Sequence, residues 1–173
     1  MQEDANTEGL GKGMTIIAWI IAIALLTYFF AGVEERQVNP NQSPDSKRSD
    51  SIIKVELKRN RYGHYVTNGE VDGKAVVFLL DTGATNVAIP GALENYLNLQ
   101  RGQKHLVNTA NGTAVAYDTK IDNIRIGEIT IFNVRASINP SMEGEEILLG
   151  MSALKQIEFR QKGNHLTLIQ DIR

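Results

Sequence analysis

Phe78-Leu79-Leu80-Asp81-Thr82-Gly83-Ala84-Thr85 is the stretch on which the reading of this chain turns. Three consecutive apolar residues predict a buried strand, and it stops abruptly at an acid, a hydroxyl and a glycine. A carboxylate at the end of a buried strand is costly unless it is hydrogen-bonded or shares a proton. Asp81 is therefore the candidate functional acid. Thr82 can hydrogen-bond across a packed interface, and Gly83 lets the backbone turn tightly and approach the carboxylate. Asp-Thr-Gly alone is a common turn; the apolar strand before it and Ala84-Thr85 after it make this occurrence specific.

Outward from that stretch, residues 52–173 alternate short apolar or two-residue-period runs with turn residues. Residues 65–71 and 74–80 read as strands joined at Asp72-Gly73, a two-residue hairpin signal. A second such signal, Asn111-Gly112, lies between 105–110 and 113–118. Strands are also expected at 52–57, 87–90, 121–126, 129–138 and 147–149, and a last hairpin at 158–170 turns at Lys162-Gly163-Asn164. Residues 93–97 suggest a helical turn and 151–156 a short helix. The pattern is that of an all-β barrel or sandwich.

Bulk properties set the limits. The chain has 173 residues, enough for one folded domain with appendages, and a net charge of −2. It has no basic run interleaved with aromatics, so nucleic acid is not an expected partner. It has no cysteine, which removes disulfides, thiolate metal sites and a cysteine nucleophile. His64, His105 and His165 lack the spacing of metal ligands, and no GxSxG motif is present. Neither a metal nor another cofactor is expected.

Residues 14–33 read MTIIAWIIAIALLTYFFAGV and carry no charge. About twenty such residues cover a hydrocarbon core of roughly 30 Å as a helix. Trp19 lies toward one end and Tyr28, Phe29 and Phe30 toward the other, where interfacial aromatics sit. The acidic N-terminal flank and the length of the run suit an uncleaved anchor better than a cleaved signal peptide. Residues 1–13 are then an N-terminal tail, 14–33 a transmembrane anchor, 34–51 a flexible linker rich in small polar residues and proline, and 52–173 the folded domain. Lys12 before the span against Arg36, Lys47 and Arg48 after it does not favour a cytoplasmic N-terminus.

With these features in place, the chain resembles the retropepsin-like aspartic proteases, and in particular the membrane-anchored single-lobe members of bacteria, over 63–173. The catalytic motif of that family matches Asp81, Thr82, Gly83 and Ala84. Its two-hydrophobics-then-glycine signature, which packs behind the catalytic loop and opens a short helix, matches Leu148, Leu149 and Gly150. The flap hairpin that closes over substrate falls at Ala110, Asn111, Gly112 and Thr113. The resemblance implies a single-lobe closed β-barrel with one short helix, preceded by the transmembrane helix. It further implies an aspartic endopeptidase that cleaves polypeptides with a water activated by two carboxylates, and it needs no cofactor. One motif and one lobe imply a homodimer in which each copy supplies its Asp81. Leu166 and Leu168 would join the sheet between subunits. The resemblance also places the domain on the periplasmic face of the inner membrane, against the charge count. The alternative is a catalytically inactive, membrane-anchored domain that binds peptides as a sensor.

Overall fold

Backbone pairing closes six strands of this chain into a ring. The structure is a computed structural model that describes residues 3–109 and 112–172. It divides into two units, Met1–Gln37 and Val38–Arg173.

The first unit is helical. Helix α1 (Glu3–Val38) extends through most of the stretch expected as a tail and through the first part of the expected linker. Its segment Lys12–Val38 is long and apolar enough to cross a membrane. Its large side chains are exposed on all sides, among them Trp19, Leu25 and Phe29. A helix without a polar face suits a lipid environment rather than water. Thr27 Oγ1 donates to the carbonyl of Ile23 at 2.8 Å, which satisfies the hydroxyl within the helix.

In the second unit, strands β3 (Val66–Val71), β4 (Lys74–Leu80), β5 (Val87–Pro90), β7 (Gly112–Ile126), β8 (Ile129–Asn139) and β9 (Glu146–Leu149) pair in the order β3-β4-β9-β5-β8-β7. The ring closes where β3 meets β7, with Glu70 opposite Arg125 and Val71 opposite Ile124. Gly69 allows this closure, because a Cβ there would lie 2.4 Å from the carbonyl oxygen of Arg125 and 2.7 Å from the Phe78 ring. Strand β6 (Lys104–Thr109) pairs only with the first part of β7, so the β6–β7 hairpin stands off the barrel.

A second sheet, β1-β2-β11-β10, packs beside the ring. It comprises β1 (Asp45–Arg48), β2 (Ile52–Lys58), β10 (Glu158–Lys162) and β11 (His165–Asp171). Along β2, Ile53, Val55 and Leu57 are buried while their neighbours face out, the two-residue period expected of a half-buried strand. They join Phe78, Ile121, Ile124, Ile126, Leu149 and Leu168 in one core. The Asp72-Gly73 hairpin forms as expected, with φ of 49° and 78° at its two central residues. Besides α3 (Met151–Leu154), a 3-10 turn (Gly91–Leu93) leads into a single helical turn, α2 (Glu94–Leu97), where the sequence suggests one.

Three expectations need correction. Residues 112–126 form one long strand rather than two, because polar residues on its outer face interrupt the apolar pattern without interrupting the pairing. Strand β11 is hydrogen-bonded on both edges within its own chain, to β2 and to β10. Leu166 and Leu168 are buried in the core, so they have no open edge to offer a second subunit.

The third correction concerns the expected linker over 34–51. Its first part belongs to α1, and residues 45–48 form β1 against β2. Between them Asn39 and Asn41 are buried. The Asn41 side-chain amide donates to the carbonyls of Lys58 (2.9 Å) and Val66 (2.7 Å), and its oxygen accepts from the Lys58 N–H at 2.7 Å. Thr67 Oγ1 donates to the Asn41 carbonyl at 3.1 Å. The Asn39 amide donates to Asn68 Oδ1 at 2.7 Å, and Asn60 Nδ2 donates to the Val38 carbonyl at 2.9 Å. Asparagine is hydrophilic by composition, yet it supplies two donors and an acceptor, which here replace a missing ladder between β2 and β3.

Asn41→Ala strips these partners from buried backbone groups. The expected loss is roughly 2–4 kcal/mol of unfolding free energy, measured by denaturant titration of the detergent-solubilised full chain. A chain that begins at residue 50 lacks both the asparagines and β1 and is expected to be destabilised at least as much.

Candidate active site

The site forms where two strands run side by side and a third crosses back. β4 and β9 are parallel, with Leu79 opposite Leu148 and Leu80 opposite Leu149, and β9 meets β5 antiparallel at Ala88 and Leu148. The chain that leaves β4 therefore loops around the end of β9 before it returns as β5. Asp81 is the first residue of that loop. Its N–H donates to the Leu149 carbonyl at 3.2 Å, a last rung that fixes the position of the residue.

The loop then folds back on its own acid. The Gly83 N–H donates to Asp81 Oδ1 at 2.8 Å, and the Ala84 N–H donates to the Asp81 carbonyl at 3.3 Å. The first bond orients the carboxylate; the second closes the turn. Asp81 is half-buried, whereas Thr82 and Gly83 are exposed beside it.

Leu148, Leu149 and Gly150 lie behind this loop, where the sequence expects them. The Met151 N–H donates to the Ala84 carbonyl (2.8 Å) and the Ser152 N–H to the Thr85 carbonyl (2.9 Å). The first amides of a helix have no partner within it, and here the loop carbonyls satisfy two of them. The approach is close enough to demand glycine. A Cβ on residue 150 would lie 2.2 Å from the Asn86 carbonyl oxygen and 2.7 Å from that of Ala84. Ser152, which the sequence reading did not single out, ties the arrangement to the barrel. Its Oγ accepts from the Val87 N–H (3.0 Å) and donates to the Arg135 carbonyl (2.7 Å). A small polar residue two places after the glycine is the only local signal for it.

Asp81 opens into a cleft of about 1100 Å³. The loop residues Gly83, Ala84, Thr85 and Asn86 line one side, and Val107, Asn108, Thr109, Gly112, Thr113 and Ala114 of the β6–β7 hairpin another. Thr109 Oγ1 donates to the Gly112 carbonyl at 2.7 Å near the tip. Of the four flap residues expected, Gly112 and Thr113 line the cleft, and Ala110 and Asn111 lie outside the described residues. Ala88 and Leu148 also line the cleft, and a further wall consists of Ser137 and Asn139 on β8 and the following Ser141–Met142–Glu143. Asn139 Oδ1 accepts from the Ser141 N–H (3.1 Å) and hydroxyl (2.8 Å), which turns that segment toward the cleft. None of this wall is legible in the sequence, since it reaches the site only through the pairing of β8 with β5.

The charged residues that line the cleft are Asp81 and Glu143, both acidic. Among the described residues, no group of three or more His, Cys, Asp or Glu side chains converges in a way that could hold a metal ion. The arrangement presents a fixed carboxylate to an open groove beneath a hairpin, and the groove could accommodate an extended chain.

Comparison with known proteins agrees with this geometry. A protein from Sinorhizobium sp., described as "Uncharacterized protein in cobV 5'region", is 35% identical over 116 residues, which are 65% of this chain and 50% of that protein. The chain thus matches about half the length of that relative. The crystal structure of a retropepsin-like aspartic protease from Rickettsia conorii superposes with a TM-score of 0.61 at 22% identity, over 73% of this chain and 99% of that one. That likeness shows a retropepsin-like fold. The sequence profile of the family described as "gag-polyprotein putative aspartyl protease" matches residues 67–156, a span that holds both the Asp81 loop and the Leu148–Gly150 turn. By that match over more than half its length, the chain belongs to the gag-polyprotein aspartyl protease family.

Proposed function

We propose that this protein is an aspartic endopeptidase whose working site forms between two copies of the chain, each of which contributes Asp81. The observation that carries this reading is the placement of Asp81. It is a carboxylate held by Gly83, at the open end of a buried strand, inside a cleft of about 1100 Å³.

Asp81 needs a second carboxyl group directly beside it for the chemistry. Peptide hydrolysis requires a base to take a proton from the attacking water and an acid to polarise the carbonyl. Two carboxyl groups side by side cannot both ionise easily, so they hold one proton between them and titrate as a unit. The ionised partner deprotonates water, and the protonated partner hydrogen-bonds to the carbonyl oxygen as it gains charge. A twofold pair delivers this arrangement from a single gene product. Exposed Thr82 and Gly83, adjacent to Asp81, are the loop residues available to brace the pair. Ala84 keeps the loop narrow, and the hairpin around Ala110, Asn111, Gly112 and Thr113 covers the bound chain. Leu148, Leu149 and Gly150 support the loop from behind.

The helix over 12–38 anchors the enzyme as a single span in the inner membrane, with the peptidase domain on the periplasmic face. This rests on the length and apolar surface of the helix and on the anchored bacterial proteins that the sequence resembles. Confinement to a membrane raises the effective concentration of copies and favours pairing. Protease added to intact spheroplasts is expected to degrade the domain but spare it in inverted vesicles. The reverse pattern would place the domain in the cytoplasm.

Three further outcomes are expected in detergent micelles. Asp81→Asn retains the fold but loses cleavage of unfolded protein by at least about a thousandfold, the scale on which removal of a reacting group acts. When half of the wild-type protein is replaced by Asp81→Asn chains at constant total protein and the copies are allowed to exchange, activity falls to about a quarter, because random pairing leaves only that share of two-Asp81 dimers. A fall to one half would mean that each copy works alone and would refute the shared site. Gly150→Ala pushes a methyl group into the Asn86 carbonyl and is expected to cost about 1–3 kcal/mol of stability, with a loss of cleavage larger than the loss of folded protein.

A further inference from the structure

A second hollow adjoins the cleft, and its charge is opposite. It measures about 490 Å³ and is lined by residues that include Asn86, Arg101, Lys120 and Arg135. Asn86 also lines the catalytic cleft, so the two spaces share a wall. Strand β8 makes the same connection. Residues 135, 137 and 139 point to one face of it, since side chains alternate along a strand. Asn139 and Ser137 line the cleft, and Arg135 lines the second hollow. A chain that follows this face out of the cleft passes from Ser137 to Arg135 within one two-residue step, about 7 Å.

The cations at the end of that path are left unbalanced. Lys120 and Arg135 stand directly opposite each other across β7 and β8. Like charges at such a position are destabilising. Among the described residues neither forms an ion pair, whereas Arg101 is paired with Glu94 and the hollow's one acid, Asp118, leaves the cations in excess. Arg101 holds Glu94 through two bonds of 2.8 and 2.6 Å and stacks over the Tyr117 ring, and Asp118, which also lines the hollow, faces His105 Nδ1 at 3.4 Å. A repulsive pair at the outlet of a binding groove is offset when a ligand brings negative charge.

We propose that this hollow is an outer subsite for acidic residues of the polypeptide substrate, with Lys120 and Arg135 as the specificity-determining pair. The inference rests on the reading that a polypeptide occupies the cleft. The charge of the inner cleft argues for the same division. Asp81 and Glu143 are both acidic there, so an acidic side chain is disfavoured near the scissile bond and favoured where the cations lie. The substrate class is then a chain with an apolar or neutral stretch at the reacting centre and aspartate or glutamate a few residues away.

The test uses the full-length Asp81→Asn protein in detergent micelles and two fluorescein-labelled probes, peptides with the same central valine–asparagine stretch flanked at both ends by aspartates in one and by asparagines in the other. Fluorescence polarisation is expected to show the aspartate peptide bound about five- to tenfold more tightly, the range that two exposed ion pairs supply. Lys120→Glu with Arg135→Glu should abolish or reverse that preference, and Arg135→Lys should keep it. Equal affinities, a preference that survives the double charge reversal, or no binding of either peptide would overturn the proposal. Cleavage of unfolded protein by wild type in the same preparation separates the two readings. Cleavage without a peptide preference sinks the acidic subsite alone, whereas a charge-reversible preference without cleavage leaves the subsite standing and sinks the peptidase.

Discussion

The approach of the Asp81 loop to the turn after β9 is the constraint on which the rest depends. Ala84 and Thr85 give their carbonyls to the amides of Met151 and Ser152, and Gly150 allows the two backbones to come that close. Neither segment could hold its shape alone. A loop that leaves a buried strand exposes carbonyls with no ladder partner, and a one-turn helix exposes amides with none. Each satisfies the other, at a contact distance that excludes any side chain. The position of Asp81 then follows, since its own amide is pinned to Leu149 by the same pair of strands. The carboxylate is fixed by backbone hydrogen bonds rather than by side-chain packing, which suits a residue that must stay exposed to a cleft.

The sequence displays this core of the site because the core is local. Asp81 to Ala84 and Leu148 to Gly150 are each read from a few consecutive residues whose types have a physical reason. The hairpins are legible for the same reason, as at Asp72-Gly73, where φ is positive at both positions. The remaining parts of the site depend on pairings distant in sequence. Ser137 and Asn139 come to the cleft because β8 runs parallel to β5, and Ser152 matters because it spans β5 and β8. No periodicity in the residues around them announces either fact.

The misread linker has a different cause. Over 34–51 the composition is polar with two prolines, and composition measures what a segment can bury as apolar surface. It does not register hydrogen-bonding capacity. Asn39 and Asn41 are buried because every polar atom of their side chains is hydrogen-bonded. The same limitation applied to β11, where Leu166 and Leu168 alternate as an edge strand would, yet the pairing of β10 and β2 on either side places them in the interior. Alternation reports that one face is apolar; it cannot report whether that face meets its own core or another chain.

These two corrections change what a second copy can use. With β11 enclosed, the four-stranded sheet leaves β1 and β10 as its outer strands, and every residue of β10 is exposed. Pairing that depends on such a surface would be weaker than pairing through a buried terminal strand, because little apolar area is withdrawn from water. A weak interface is sufficient when the copies share a membrane, where confinement replaces part of the binding energy. On the two-copy reading proposed above, activity then depends on surface density, since an isolated chain carries Asp81 without a second copy's carboxylate beside it.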